Sequence, residues 1–306
     1  MTNGFNTEKF LVREGQNVDL SKYDPKFTGE FTSKVDVKSL LKTNRKKLSR
    51  LQSKLYAQNQ YSLLIILQGM DASGKDGIIK NVMSGVNPQG CQVFSFKEPS
   101  KEELDHDYLW RIHKAIPERG RIGIFNRSHY EEVVIVQVHD LIRKQNIPQK
   151  LITENIWRER YKQINDFEKY LFQNGVIILK FYLNISIEEQ MERFISRIDS
   201  ETKNWKFSLK DIEERKYWND YMKAYEDAFS YTSKDYAPWY IIPSDRKWFS
   251  RYAVSEIIVQ KLDKCELTYP LLDADTKSKL ELIKEQFLKD KDSTQSTDPS
   301  NSQRLS

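Results

Sequence analysis

Leu63–Gly77, LLIILQGMDASGKDG, decides the fold: an apolar run of strand length feeds a Gly-x4-Gly-Lys loop that opens a helical stretch. Gly69 and Gly74 let the backbone curl so that its N–H groups face inward, the helix from about Lys75 adds the positive end of its dipole, and Lys75 supplies a mobile cation. The pattern is a phosphate-binding loop of the Walker A type with an unusual ending. Asp76 stands where a hydroxyl residue normally follows the lysine, and a second carboxylate, Asp71, lies inside the loop. Two carboxylates beside a phosphate cradle repel the ligand unless metal ions lie between them, so the stretch predicts magnesium-dependent phosphoryl transfer. A glycine-rich turn with no ligand is the bland alternative. Strand, loop, lysine and helix in the required order speak against it.

Outward from the loop, apolar runs alternate with helical patterns. Strands are predicted at 62–68, 91–96, 121–125, 176–183 and 239–242, and helices at 75–84, 101–115, 130–144, 154–172, 187–199, 209–230 and 247–263. Such alternation predicts an α/β fold, a parallel sheet with helices on both faces and its ligand site at the carboxyl ends of the strands. Residues 1–60 form an N-terminal arm and a basic helix, 61–268 the loop-bearing core, and 269–306 a charged amphipathic helix near 277–289 with a polar, disordered tail from about Asp290.

A chain of 306 residues with 39% hydrophobic content can bury a sizeable core. No run approaches the roughly 18 apolar residues that span a bilayer, and the N-terminus lacks the apolar stretch of a signal peptide, which predicts a cytoplasmic protein with no membrane partner. Two cysteines, Cys91 and Cys265, make neither a disulfide framework nor a zinc pattern, and the four histidines lack metal-ligand spacing. The net charge of +5 is unevenly spread: Lys34–Lys54 carries eight Lys/Arg against one acid, Asp36. Val37, Leu40, Leu41, Leu48, Leu51 and Leu55 form one stripe, so this helix can dock while Lys42, Lys46, Arg50 and their neighbours stay in water. The basic face is either a solvated surface or a track for a polyanion, a long phosphate polymer or nucleic acid.

Two further constellations carry chemistry. The strand at 121–125 ends in Asn126-Arg127-Ser128-His129-Tyr130-Glu131-Glu132, where a phosphate-loop fold normally has a metal-holding aspartate. Asn126 offers only a neutral amide, so the metal charge falls to Asp71, Asp76 or Glu131, while Arg127 presents a fork of donors to phosphate. At 186–216, Ser186 and Glu189 make a capping-box pattern, and Ile187, Met191, Phe194, Ile195 and Ile198 one apolar face. Arg193 and Arg197 then share a flank where they can clamp an anion, followed by a polar segment with Lys203 and Lys206 and a second helix. This is either a lid over phosphates or an exposed hairpin paired with its own acids. Trp218, Tyr221, Met222, Tyr225 and Phe229 at helical spacing are assigned to the core.

The stretches GMDASGKDG (69–77), FNRSHYEE (125–132), RFISRID (193–199), NWKFS (204–208), ERKYWNDYMKAYEDA (214–228) and APWYIIPSDRKWFSR (237–251), in this order, resemble the polyphosphate kinase type 2 family. The resemblance runs from about Tyr23 to Cys265. It implies a phosphate-loop kinase fold similar to thymidylate kinase, with a helical lid at about 193–216. It also implies transfer between inorganic polyphosphate and purine nucleotides (AMP, ADP, ATP), and a homo-oligomer, dimer or tetramer. Functional positions then fall on Asp71, Lys75, Asp76, Arg127 and Glu131, with Asp71, Asp76 and Glu131 toward magnesium, for which manganese can substitute. Gly69, Ala72, Ser73, Gly74, Gly77, Asn126, Arg193 and Arg197 fall toward phosphate and nucleotide, and Lys42, Lys46, Arg50 and Lys206 toward the polymer. Asn126 and the residues after it resemble the class III branch, which accepts nucleoside mono- and diphosphates. The expected activity is conversion of AMP to ADP and ADP to ATP. Its rivals are an ATP-dependent nucleoside monophosphate kinase and a nucleic-acid-binding protein with a degenerate loop.

Overall fold

The computed structural model describes residues 5–202 and 204–296, apart from the side chains of Lys206 and 293–296. The chain forms two compact units, Met1–Thr268 and Tyr269–Ser306. The first holds six strands: β1 (Leu11–Val12), β2 (Ser62–Gln68), β3 (Cys91–Ser95), β4 (Ile122–Asn126), β5 (Val176–Asn184) and β6 (Trp239–Pro243). They form one sheet in the order β1-β6-β5-β2-β4-β3, parallel except for β1 against β6. Every residue of β2 and β5 is buried, which is what an uninterrupted apolar run means in a central parallel strand covered on both faces.

The helices of this unit are α1 (Lys34–Gln58), α2 (Lys75–Val82), α3 (Lys101–Leu104), α4 (Trp110–His113), α5 (Ile135–Val138), α6 (Ile156–Gln173), α7 (Ile187–Ile198), α8 (Leu209–Glu214), α9 (Trp218–Thr232) and α10 (Lys247–Asp263). Helix α1 starts with a capping box in which Ser33 Oγ accepts from Val35 and the Asp36 carboxylate accepts from the Ser33 N–H, giving the single acid of the basic segment a structural task. Val37, Leu48, Leu51 and Leu55 are buried, Leu40 and Leu41 half-buried, and the helix packs on α10, with Asn44 hydrogen-bonded to Ser255 and Glu256. Tyr221, Tyr225 and Phe229 of α9 lie in the core, with Trp218 and Met222 packed against it.

Several predicted helices are broken. The stretch 101–115 splits into α3 and α4 because the Asp107 side chain accepts from the Leu109 N–H and starts a new turn. The stretch 130–144 breaks at Asp140, whose φ is +47°. The stretch 209–230 breaks into α8 and α9 around a 3-10 turn at Arg215–Tyr217. In the second unit, α11 (Ala274–Ser296) runs past the expected end at 289 into the stretch assigned to the tail, whose residues 297–306 lie outside the described ones.

Candidate active site

Loop residues 69–74 connect β2 to α2 at the carboxyl edge of the sheet, where the ends of β4, β5 and β6 converge. Gly69, at φ +144°, admits no side chain: a Cβ there would lie 2.8 Å from Ser73 Oγ and 2.9 Å from the Leu183 carbonyl. Gly74 takes φ +113°, and Ala72 takes φ +61°, a left-handed conformation that costs an alanine roughly 1–2 kcal/mol. Left-handed residues separated by one ordinary residue are how a backbone makes a concave anion nest.

Lys75 is buried and folded back on the loop, its Nζ donating to the carbonyls of Gly69 (2.6 Å) and Met70 (3.2 Å). Burial, with the positive charge of Arg127 added, pulls its ammonium down to about 8 despite nearby Asp71, Glu131 and Asp76. Arg127, also left-handed at φ +65°, lies between two carboxylates, 2.5 Å from Asp71 Oδ1 and 3.2 Å from Glu131 Oε2. Those charges, Glu131 foremost, hold its guanidinium above the ordinary arginine range. Asn126 Nδ2 donates to Asp76 Oδ1 at 2.9 Å. The structure thus brings Asp71, Lys75, Asp76, Asn126, Arg127 and Glu131 together.

A cleft of about 720 Å³ opens over the loop, lined by residues 71–78 and by Asn126, Arg127 and Arg197. It is also lined by Lys97, Trp205, Lys247 and Arg251, which the sequence reading assigned no role. Lys247 and Arg251 stand one turn apart at the start of α10. The available signal was that this helix directly follows a strand end on the ligand edge. Burial, with the positive charges of Arg45 and Arg193, holds Arg251 below its ordinary value. Arg45 belongs to α1 and donates to the Asn81 carbonyl at 2.6 Å, so the positive field of the cleft reaches the basic helix, where Lys42, Lys46 and Arg50 are exposed.

The hairpin at 193–216 departs from expectation. Only Phe194 of the predicted apolar face of α7 is buried, while Met191, Ile195 and Ile198 are exposed. The buried face carries Gln190 and Arg193 instead. Arg193 lines the cleft, as Arg197 does. It is buried against the loop, with Nη1 donating to the carbonyls of Ala72 (2.8 Å) and Ser73 (2.9 Å), Nη2 to those of Ser244 and Asp245, and Nε to Glu189. The Ser186 half of the capping box forms, but the Ser186 N–H goes to Asp245, because the Glu189 carboxylate is taken by Arg193. Arg197 stays at the cleft, 3.6 Å from Asp211 on α8. Lys203 lies outside the described residues, as does the side chain of Lys206.

Among the described residues no three His, Cys, Asp or Glu side chains are gathered for a metal, so Asp71, Asp76 and Glu131 are not a preformed cluster. The donor set still fits magnesium, which takes one or two carboxylates together with substrate phosphate oxygens and waters rather than an all-protein cage. Asp71 and Asp76 line the cleft, and Glu131 is engaged with Arg127.

A phosphate nest at the carboxyl edge of a parallel sheet, ringed by cations and carboxylates, defines the class: a phosphate-loop phosphotransferase. Residues 31–269 match the family Polyphosphate kinase 2 (PPK2). An ADP-polyphosphate phosphotransferase of Rhodopseudomonas palustris is 47% identical over 285 residues, covering 92% of this chain and 99% of that one. An AMP/ADP-polyphosphate phosphotransferase of Meiothermus ruber is 42% identical over 265 residues, covering 86% and 95%. The crystal structure of Polyphosphate Kinase 2 from Arthrobacter aurescens superposes with a TM-score of 0.82 at 40% identity, over 91% of this chain and 96% of that one. The chain belongs to the polyphosphate kinase 2 family, and it is an enzyme, a polyphosphate:nucleotide phosphotransferase. No helix among the described residues is long and apolar enough to cross a membrane.

Proposed function

We propose that this cytoplasmic enzyme transfers the terminal phosphoryl group of inorganic polyphosphate to ADP and to AMP, reversibly and with magnesium. The observation that carries this reading is the cleft itself, where Lys75, Arg127, Arg197, Lys247 and Arg251 gather around a phosphate nest and the positive field runs on to α1. So many cations in one cleft suit two polyanions brought end to end. Similarity to the Meiothermus ruber enzyme, named for both AMP and ADP, supports the double acceptor, as does Asn126. The family resemblance also supports a homo-oligomer, dimer or tetramer.

The nucleotide binds under the α7–α8 hairpin, and the polymer end lies on the loop. Asp71 and Asp76 would hold magnesium, which would neutralise phosphate charge. Lys75 leaves the Gly69 and Met70 carbonyls for phosphate oxygens. Arg127 exchanges Asp71 for the transferring group, while its pair with Glu131 keeps it aimed. The attacking acceptor phosphate oxygen is already ionised at neutral pH, so the transfer needs positioning and charge neutralisation rather than a general base, and no covalent enzyme intermediate.

The test is AMP or ADP with magnesium and either polyphosphate or ATP as sole donor. Product with polyphosphate supports the reading. Product from AMP with ATP alone would make the protein a conventional monophosphate kinase, and salt-sensitive RNA or DNA binding without transfer would make it a nucleic-acid-binding protein.

A further inference from the structure

Helix α7 is amphipathic in the wrong sense: it buries Gln190 and Arg193 and leaves Met191, Ile195 and Ile198 in water. Buried polar groups are retained where their hydrogen bonds are made, and here the partners are successive carbonyls of the phosphate loop. Gln190 Nε2 donates to the Asp71 carbonyl at 2.9 Å, and Arg193 Nη1 to those of Ala72 and Ser73. The Gln190 amide is itself oriented, because Arg215 Nη1 donates to its Oε1 at 2.7 Å and leaves the NH₂ end facing the loop. Arg193 has five N–H groups, and five hydrogen bonds to protein account for them. It holds none back for an anion.

We propose that Gln190 and Arg193 are positioning residues that set the anion nest by holding the carbonyls of Asp71, Ala72 and Ser73 away from the ligand. In a trans peptide the C=O and the following N–H point in opposite directions, and the chain has no cis bonds among its described residues. Fixing the Asp71 and Ser73 carbonyls against α7 therefore turns the N–H groups of Ala72 and Gly74 to the other side. The same contacts bracket Ala72, whose left-handed backbone needs surroundings that over-determine it. Arg193 also bolts the loop to the Ser244–Asp245 turn after β6, and Arg215 ties Gln190 to the segment between α8 and α9. At Gln190 and Arg193 the hairpin thus acts on phosphate through the loop's backbone.

The inference rests on the loop being the phosphate site, and the experiment separates the two. Inorganic tripolyphosphate is titrated calorimetrically, without nucleotide, into the full-length protein, Gln190→Met, Arg193→Lys and Lys75→Ala, with thermal unfolding and steady-state kinetics on each. Gln190→Met keeps the side chain's length and loses its hydrogen bonds. It is expected to melt within a few degrees of the parent, to bind tripolyphosphate roughly three- to tenfold more weakly, and to raise the donor KM while leaving the acceptor KM unmoved. Arg193→Lys keeps the charge but cannot span the carbonyls, and its affinity loss should exceed tenfold. Lys75→Ala weakened with Gln190→Met unchanged would overturn this inference alone. So would a Gln190→Met protein that melts far lower and loses acceptor and donor affinity alike, since that is a merely structural role. Unchanged binding in Lys75→Ala would overturn the loop reading and this inference with it.

Discussion

Arg127 and Asp71 form an ion pair 2.5 Å long at the mouth of the phosphate loop, with Glu131 on the other side of the same guanidinium. A cation thus already sits between two of the carboxylates that the sequence assigns to magnesium. Charge is matched before substrate arrives, and the same guanidinium is the fork of donors proposed for the transferring phosphate.

Asp71 is therefore expected to matter more than Asn126, the neutral residue at the end of β4. Asp71→Asn should lower turnover by about 10²–10³, and Asn126→Ala by less than about tenfold, with the magnesium requirement shifted mainly in the former. Magnesium titrations of both variants check this, and the reverse ranking would move the ion to the β4 end.

Arg197 lines the cleft and is paired only loosely, at 3.6 Å, with Asp211. Arg197→Ala should cut turnover by about 10–10² while changing the affinity for nucleotide, measured without donor, less than threefold, as expected of a contact completed on closure. Unchanged turnover would make Arg197 an ordinary surface side chain.

Basic helix α1 can touch a long donor at several points and a short one at few. Replacing Lys42, Lys46 and Arg50 with glutamine should raise the KM for long-chain polyphosphate, leave that for a short oligophosphate nearly unchanged, and flatten the salt dependence of long-chain use. Equal losses with both donors, or none with either, would make this face a solvated one.

Much of this was legible in the sequence, for physical reasons. A Gly-x4-Gly-Lys loop between strand and helix specifies its own local geometry, and the apolar runs of β2 and β5 can be buried only at the centre of a covered sheet. The aromatic spacing of α9 marks a core face in the same way. Helix α7 was misread because periodicity counts apolar residues, whereas its buried partners are loop carbonyls that only the tertiary fold brings to Gln190 and Arg193. Asp107 and Asp140 break helices through local backbone geometry that apolar spacing does not register. Lys247 and Arg251 acquire a role only because β6 delivers α10 to the ligand edge.

A buried charge pair in the core makes a pH prediction. Lys180, in the middle of β5, donates to Glu168 Oε2 (2.6 Å), Tyr130 Oη (2.8 Å) and the Thr232 carbonyl (2.8 Å). Burial pulls its ammonium down to about 8 in spite of Glu168. Burial also opposes ionisation of Glu168, yet Lys180 and His129 outweigh it and hold that carboxyl below its usual range. Between about pH 8 and 10.5 the unfolded chain keeps the Lys180 proton that the folded chain has released, so the stability contributed by this lysine rises with pH in that window. Lys180→Met alone should cost about 3–5 kcal/mol at pH 7 by stranding Glu168, and Lys180→Met with Glu168→Gln should recover most of it. Denaturant unfolding against pH checks both. The wild-type minus double-variant difference should climb above pH 8, and a falling difference would contradict the assignment.

The most direct measurement is ATP formation from ADP, magnesium and polyphosphate by the wild-type protein and by Lys75→Ala, each shown folded by thermal unfolding. Among the described residues the Lys75 ammonium donates to loop carbonyls, which the polymer's phosphates can replace, so its loss should spare the fold and lower turnover by about 10²–10³. Robust ATP formation by the wild type with that loss in a folded variant is the predicted result. A folded Lys75→Ala protein with near-normal turnover would contradict phosphoryl transfer at this loop.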